Sequence, residues 1–202
     1  MRDKQKEETR RRLYHAALEI FARDGVQACR IEDIAQKADV SRAAFYFHFP
    51  SKDDVLLELL SNCETEILAE VDKLPQDASL KQILETFITS TSRVWSDPNR
   101  CKMLIDVFAV QVRRTSILDD REAEVVRASM SRRFSACSAR GELSPVIPPE
   151  MLSDFYLLNC FAVMAAWGAQ PVMPLEDMFR GMTLLFMNGA RPPNAQPFSL
   201  EK

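Results

Sequence analysis

The chain has 202 residues, of which 47% are hydrophobic and 27% are charged, and its net charge is −3. This length and composition suit a water-soluble protein of one or two domains, and the negative charge alone argues against a nucleic-acid partner. The charge is unevenly distributed, however, because the first twelve residues carry six basic side chains and three acidic ones. Few glycines, many helix formers and no alternation of apolar with polar residues predict an all-α fold.

Cysteine and histidine give no basis for a metal or cofactor site. The five cysteines are isolated, no CxxC motif occurs, and only two histidines are present. We therefore expect reduced thiols, no cofactor and a cytoplasmic location. The charged amino end is unlike a signal peptide. The most apolar run, residues 155–169, is shorter than the roughly 20 residues that cross a bilayer, so no membrane partner is expected.

Nine helices are predicted from the spacing of apolar residues and from capping residues. Gly25, Gly141 and Gly189 mark three of the helix ends, because a glycine in the left-handed conformation commonly follows a helix. The predicted helices cover, in chain order, residues 7–24, 31–38, 42–48, 52–73, 79–96, 97–113, 119–140, 150–169 and 174–188, and a loose tail covers residues 191–202.

The second and third predicted helices have the length and spacing of a helix-turn-helix. Between them the sequence DVS predicts a sharp turn, in which Asp39 tolerates a left-handed backbone. Ser41 is expected to cap the third helix. Phe45 and Phe49, four residues apart, are expected to pack on the first two helices. A seven-residue helix is about 10 Å long and fits the DNA major groove.

The third helix carries more aromatic side chains than one buried stripe can hold. Its sequence FYFHF places four aromatics and a histidine in succession, whereas neighbouring side chains splay by about 100°. Small residues at its amino end would allow close approach to base edges, and an arginine there can donate bidentately to guanine. The residues predicted to face outward and contact DNA bases or phosphates are Ser41, Arg42, Ala43, Ala44, Tyr46, Phe47, His48 and Lys52. The alternative is a helical core that buries all of these aromatics.

The segment TRRRLYHAALEIFARDGVQACRIEDIAQKADVSRAAFYFHFPSKDDVLLELL resembles the amino-terminal domain of TetR-family one-component transcriptional regulators. The shared elements are AALEIFARDG, IEDIAQKADVS, the FYFHFPSK block and the leucine-rich helix that follows it. The resemblance implies a homodimer. It divides each subunit into a three-helix DNA-binding domain, residues 1–51, and a six-helix ligand-binding and dimerisation domain, residues 52–190.

The resemblance also implies roles for single residues. Tyr46, His48 and Lys52 would contact phosphates. Family members usually carry Thr or Ser before the second helix, whereas this chain has Cys29 and Arg30. The hydroxyl cap is therefore missing, and we expect Arg30 to reach a phosphate or a base.

The eighth predicted helix is apolar on nearly every face, so one neighbouring helix cannot cover it. The simplest cover is a symmetry mate, which predicts a homodimer through the last two helices. The alternative is a helix central to the core of one chain.

Flexible and aromatic side chains with few polar groups predict a pocket for a largely apolar small molecule. Ordinary core packing is the alternative for each candidate residue. The candidates are Phe87, Thr91, Trp95, Met103, Val107, Gln111, Phe134, Cys137, Phe155 and Asn159.

Together these patterns predict a ligand-responsive repressor that binds double-stranded DNA at a palindromic operator as a dimer. The effector would release it by shifting the fourth helix, whose amino end adjoins the third. Activation of transcription is an alternative to repression, because the direction of regulation depends on where in the promoter the protein binds. The alternatives are an all-helical small-molecule-binding protein or enzyme without DNA binding, and a structural adaptor. We do not expect an enzyme, because no nucleophile-with-base motif or metal spacing occurs.

Overall fold

The computed structural model describes residues 2–114, 123–190, 196, 199 and 200. In that part of the chain it contains nine α-helices and no strand, so the predicted all-α fold is confirmed. The helices are α1 (Arg2–Asp24), α2 (Ile31–Lys37), α3 (Arg42–His48), α4 (Lys52–Val71), α5 (Leu80–Trp95), α6 (Arg100–Arg114), α7 (Ala123–Ala139), α8 (Pro149–Ala169) and α9 (Leu175–Ala190).

The helices form two compact units. The first contains α1, α2, α3, the part of α4 up to Asn62, and α6; the second contains the rest of α4, α5, α7, α8 and α9. This division falls within α4, beyond the boundary predicted at residue 51. The assignment of functions to residues 1–51 and 52–190 stays a prediction. The predicted loose tail lies almost entirely outside the described residues.

The first unit is built on one apolar face of α1. Leu13, Ala17, Ile20 and Phe21 are all at most 2% exposed, as the spacing predicts. α1 ends where expected, because Gly25 takes a φ of +85°. It begins earlier than expected, at Arg2 instead of residue 7. The first turns carry only polar side chains, so apolar periodicity gives no signal there.

The core of the second unit surrounds a buried tyrosine on α8. The Tyr156 hydroxyl lies 2.9 Å from the Thr183 hydroxyl of α9. The rings of Phe87, Phe134 and Phe186 have centroids 5.6–6.2 Å from the Tyr156 ring. Edge-to-face and tilted ring pairs at this separation add to the apolar burial that holds α5, α7, α8 and α9 together.

Two glycines at predicted helix ends behave differently. Gly141 follows α7 with a φ of +76°, as expected. The prediction that Gly189 ends α9 is wrong, because the helix continues through it to Ala190. The Ala190 carbonyl accepts a hydrogen bond from the Ser144 backbone N–H at 2.8 Å. This contact with the α7–α8 loop gives a partner to a carbonyl that has none within the helix.

One side of α8 is buried and the opposite side is exposed. Leu152, Tyr156, Cys160 and Met164 repeat every four residues on the buried side. The exposed side carries Phe155, Asn159, Ala162 and Ala166. α9 also has an exposed side, formed by Asp177, Gly181, Leu185 and Asn188, and Leu185 is 82% exposed. We call these eight residues the α8–α9 outer face.

By length and composition alone, α8 could cross a membrane, and it is the one such helix among the described residues. The expectation that no segment reaches that length is therefore wrong. The apolar run is only 15 residues long, but the whole helix has 21 residues. Only 28% of its most apolar window is buried within the subunit, so the remaining apolar surface needs another cover.

Candidate nucleic-acid interface

The turn between α2 and α3 forms as the sequence predicts. Asp39 takes the left-handed conformation with a φ of +52°. The Val40 N–H then donates to the Ala35 carbonyl at 3.0 Å, which closes the end of α2. The Ser41 hydroxyl accepts from the Ala44 N–H at 3.2 Å, so Ser41 caps α3. This turn therefore fixes the direction in which α3 leaves α2.

The two sides of α3 differ sharply in exposure. Phe45 and Phe49 are completely buried, whereas Phe47 is 68% and Tyr46 is 43% exposed. A rotation of about 100° per residue places Phe47 roughly 200° from Phe45, on the opposite side of the helix. Ala43, one turn before Phe47, is also exposed. The outward side therefore presents a small methyl group, a phenyl ring and a phenol.

His48 does not face outward, so that prediction is wrong. Its side chain is only 9% exposed, because position 48 lies about 300° from Phe45 and so returns to the buried side. Its ring packs edge-on against Phe47, with centroids 5.1 Å apart. Burial, followed by the positive charges of Arg10 and Lys6, lowers the pKa of His48 below its usual value. The neutral imidazole therefore predominates at pH 7.

Arg42 lies at the exposed start of α3 and is held by two neighbours. Its guanidinium forms an ion pair with Glu32 of α2 at 2.9 Å. It also lies over the Tyr46 ring, 5.6 Å from the centroid. Both members of the ion pair are more than half exposed, so water screens the pair and a competing anion or base can replace Glu32.

Arg30 and Lys52 lie near the α1–α2 loop. Arg30 precedes α2 at the N-cap position and is exposed, and its side chain makes no capping hydrogen bond, as predicted from the missing hydroxyl. The Lys52 ammonium donates to the backbone carbonyls of Val26 at 2.6 Å and Cys29 at 3.0 Å. Lys52 therefore ties α4 to this loop, a role that the sequence did not indicate. Its predicted phosphate contact stays a prediction.

The first turns of α1 contribute two residues that the sequence reading missed. The Lys6 ammonium lies 5.2 Å from the centroid of the exposed Phe47 ring. The Arg10 guanidinium lies 4.3 Å from the centroid of the Phe49 ring. The only signal in the sequence is the excess of basic residues at the amino end. That excess gives the charge but not which turn of α1 approaches α3.

The ten effector candidates fall into three groups. In the second unit, Phe87 and Phe134 meet around Tyr156, and the remaining buried candidates are Thr91, Trp95 and Cys137. Phe155 and Asn159 do not join them, because both lie on the α8–α9 outer face, where the Asn159 amide donates to the Phe155 carbonyl at 2.7 Å. Met103, Val107 and Gln111 are buried on α6 of the first unit. A single pocket of all ten residues stays a prediction.

The thiols of Cys29 and Cys137 are not activated. Basic neighbours do not activate Cys29, because burial outweighs the Lys52 charge and raises the pKa of its thiol. Burial likewise raises the pKa of Cys137 to about 11. No group of three or more His, Cys, Asp or Glu side chains that could hold a metal occurs among the described residues.

A known family model matches the segment that contains the helix-turn-helix and the exposed side of α3. The family model described as "Bacterial regulatory proteins, tetR family" matches residues 13–59. This stretch includes α2, the Asp39 turn, α3 and the first turns of α4. In this stretch the chain is similar to TetR-family regulators.

Two curated transcriptional regulators are each similar to about two fifths of the chain. The chain is 37% identical over 84 residues to the HTH-type transcriptional regulator SrpR of Pseudomonas putida, a match that covers 42% of this chain and 38% of SrpR. The match to the uncharacterized regulator TtgW, also of Pseudomonas putida, is 36% identical and covers 41% of this chain and 60% of that relative. The chain thus spans less than two thirds of the length of these relatives.

The TetR fold extends over nearly the whole chain. FadR of Thermus thermophilus, solved in complex with lauroyl-CoA, matches with a TM-score of 0.68 and 20% identity, covering 93% of this chain and 98% of FadR. SmeT, the repressor of a Stenotrophomonas maltophilia multidrug efflux pump, was solved with triclosan. That complex matches with a TM-score of 0.65 and 17% identity, covering 96% of this chain and 97% of SmeT.

Proposed function

We propose that this chain is a ligand-responsive transcriptional repressor of the TetR family that binds a palindromic operator as a homodimer. The outward side of α3 carries the proposal. Phe47 and Tyr46 are exposed there beside Arg42, while Phe45 and Phe49 anchor the helix from below. An exposed phenyl ring is costly in water, and a duplex that covers it removes this cost. The family's regulators supply the functional class.

The recognition chemistry follows from the positions on α3. Ala43 and Ala44 would contact thymine methyl groups, and Arg42 would leave Glu32 to donate bidentately to guanine. Phe47 would pack on a base methyl or a sugar. Phosphate contacts, which fix the register on DNA, are proposed for Arg30, Ser41, Tyr46 and Lys52, and the buried His48 is left out of this set.

The α8–α9 outer face would form the dimer interface. Ala162 and Ala166 on α8 and Gly181 on α9 are small, and nothing lies within 4 Å of a Cβ built at Gly181. Small residues let two helices approach closely, and the exposed Leu185 would fill the gap between them. The interface is self-complementary in a two-fold dimer. Such a dimer would place half-sites about 34 Å apart along the DNA.

A small, largely apolar effector would bind the body and release the operator. Structural neighbours with ligands contain lauroyl-CoA and triclosan, both of which have large apolar portions. In this chain the Thr91 hydroxyl is buried and has no hydrogen-bond partner among the described residues. A buried hydroxyl without a partner is unfavourable, so we propose that it bonds to a polar group of the effector. We also propose a cytoplasmic location and no enzymatic role.

The deciding experiment is a gel shift of the purified protein on the DNA that flanks its own gene, together with selection from a random duplex library. We expect a palindromic site in both, and weaker binding by Tyr46→Phe across all sequences, because a phosphate contact that carries no base information is lost. If the protein binds no DNA sequence more tightly than non-specific DNA, the proposed function as a transcriptional regulator is excluded. A non-DNA-binding small-molecule carrier would then be favoured.

A further inference from the structure

One arginine of α1 contacts both the end of α3 and the side of α4. An Nη1–H of Arg10 donates to the His48 carbonyl at 2.6 Å. The other terminal nitrogen forms an ion pair with the Glu58 carboxylate of α4. The guanidinium carbon lies over the Phe49 ring, 4.3 Å from its centroid. All four residues lie in the first unit.

These contacts use the guanidinium in ways that an ammonium group could not reproduce. The planar group donates in two directions and stacks on an aromatic ring at the same time. His48 is the last residue of α3, and its carbonyl lies at the negative end of the helix dipole, which favours a positive charge. Arg10 therefore holds the carboxyl end of α3, directly after the exposed Phe47.

The neighbouring arginine makes a different kind of ion pair. Arg11 pairs with Glu8 of the same helix at 2.9 Å, and the two side chains are 64% and 54% exposed. In the Arg10–Glu58 pair the side chains are 37% and 24% exposed and belong to residues 48 positions apart. A long-range pair with less exposure is screened less by water and fixes the relation between two helices.

We propose that Arg10 is a positioning residue that transmits the position of α4 to the recognition helix α3. Glu58 lies on α4, which continues past Asn62 into the second unit. A movement of α4 would displace Glu58, then the guanidinium, and then the His48 carbonyl and the end of α3. This inference rests on the proposed function, because it names the link by which the effector-bound body would change the operator fit.

The proposed positioning role can be distinguished by experiment from two simpler roles for Arg10. If the guanidinium bound a DNA phosphate, replacing it would reduce the salt dependence of binding by about 0.9 in the log–log slope for each phosphate that is no longer neutralised. If it only stabilised the fold, its replacement would lower the unfolding midpoint without altering α3 selectively. A positioning role predicts weaker binding with an unchanged salt slope and local loosening of α3.

The experiment compares Arg10→Gln, Glu58→Gln, the double variant and Arg10→Lys in the full chain. Arg23→Gln is the matched control, because Arg23 lies at the other end of α1 and pairs with the adjacent Asp24 at 2.6 Å. The probe is the duplex that the wild-type protein selects from a random library. Affinity is measured between about 50 and 200 mM salt, a range over which phosphate contacts alter it strongly. Hydrogen exchange is followed in peptides covering residues 31–37 and 42–49.

We expect Arg10→Gln to weaken binding about tenfold with an unchanged salt slope. Exchange should accelerate in residues 42–49 but not in residues 31–37. Glu58→Gln should act in the same direction, and the double variant should bind no more weakly than Arg10→Gln, because the two side chains act as one unit. Arg10→Lys should restore only part of the affinity, and Arg23→Gln should bind like wild type.

Three results would overturn the inference. They are a reduced salt slope in Arg10→Gln, affinity and exchange equal to those of Arg23→Gln, and affinity decreases that multiply in the double variant. If Arg10→Gln does not fold, Glu58→Gln still tests the positioning role, because this variant keeps the guanidinium over Phe49. If the wild-type protein selects no duplex, the proposed function fails. The exchange measurements would still report whether Arg10 holds α3.

Discussion

Two exposed surfaces of this protein carry apolar side chains, but they are built from different residues. The outward side of α3 combines an aromatic ring, a phenol and an arginine with the Lys6 ammonium of α1. The α8–α9 outer face combines a leucine and a phenylalanine with two alanines, a glycine and two asparagines, and it carries a single charged side chain, Asp177. Both surfaces expose apolar side chains to water, which is typical of a surface that binds a partner.

The difference indicates what covers each surface. Positive charge around an aromatic ring suits a polyanion whose grooves hold methyl groups and sugars. Small residues spaced along a helix suit a second helix of the same kind, since close approach of backbones needs little side-chain volume. Exposure of apolar residues alone does not separate DNA from a protein partner. The accompanying charges and side-chain sizes do.

The largest expected effect comes from a charge on the α8–α9 outer face. Leu185→Glu would place a carboxylate against its symmetry mate, and we expect monomers in sedimentation velocity. Operator affinity should fall by at least about 100-fold, because two linked half-site contacts become one. Val146→Glu is the matched control, since Val146 is also 82% exposed but lies on the α7–α8 loop. A Leu185→Glu dimer would place the interface elsewhere.

The sequence predicted the first unit closely where local rules decide. The α1 stripe, the left-handed Asp39, the Ser41 cap and the buried Phe45 and Phe49 follow from spacing and backbone preference, and each occurs in the structure. These features depend on residues within one or two turns of each other, so a sequence pattern contains the information that they need.

Long-range features were not predictable in this way. His48 was placed outward because one buried stripe cannot hold five successive side chains, but its angular position on α3 buries it. Phe155 and Asn159 were grouped with buried aromatics. Around the helix axis, Phe155 lies about 100° before Tyr156 and Asn159 about 300° after it, so both lie on the same, exposed side of α8. Their surroundings depend on which helices pack against α8, which periodicity in a uniformly apolar helix does not reveal.

Within α3, a pair of identical substitutions tests the two sides of the helix. Phe45→Ala should destabilise the protein by about 3–5 kcal/mol, because it empties a fully buried site. Phe47→Ala should change the unfolding free energy by less than about 0.5 kcal/mol and weaken DNA binding instead. Urea unfolding and gel shifts measure the two effects. A comparable loss of stability in both variants would mean that Phe47 belongs to the core.

A smaller effect is expected at Arg42, where specificity should change more than overall binding. Arg42→Ala should relax the preference at one base position by about 1–3 kcal/mol, measured by competition between single-base variants of the selected site. Glu32→Gln serves as its counterpart, because it releases the Arg42 guanidinium without removing it. We expect Glu32→Gln to keep the base preference. If both variants lose the preference equally, the Arg42–Glu32 pair itself is the recognition element.

The smallest expected effect concerns pH, and it sharpens the contrast between the exposed and buried sides of α3. The pKa of His48 is lowered in the folded protein by burial and by the charges of Arg10 and Lys6. The unfolded chain therefore binds more protons than the folded chain just below about pH 6.5, and stability rises with pH in that range. His48 thus contributes a stability loss as pH falls below about 6.5, and His48→Gln should lose less than wild type between about pH 7.5 and 5.5 in urea unfolding. Parallel losses in the two proteins would mean that the imidazole is solvated, and the outward orientation rejected above would then be favoured.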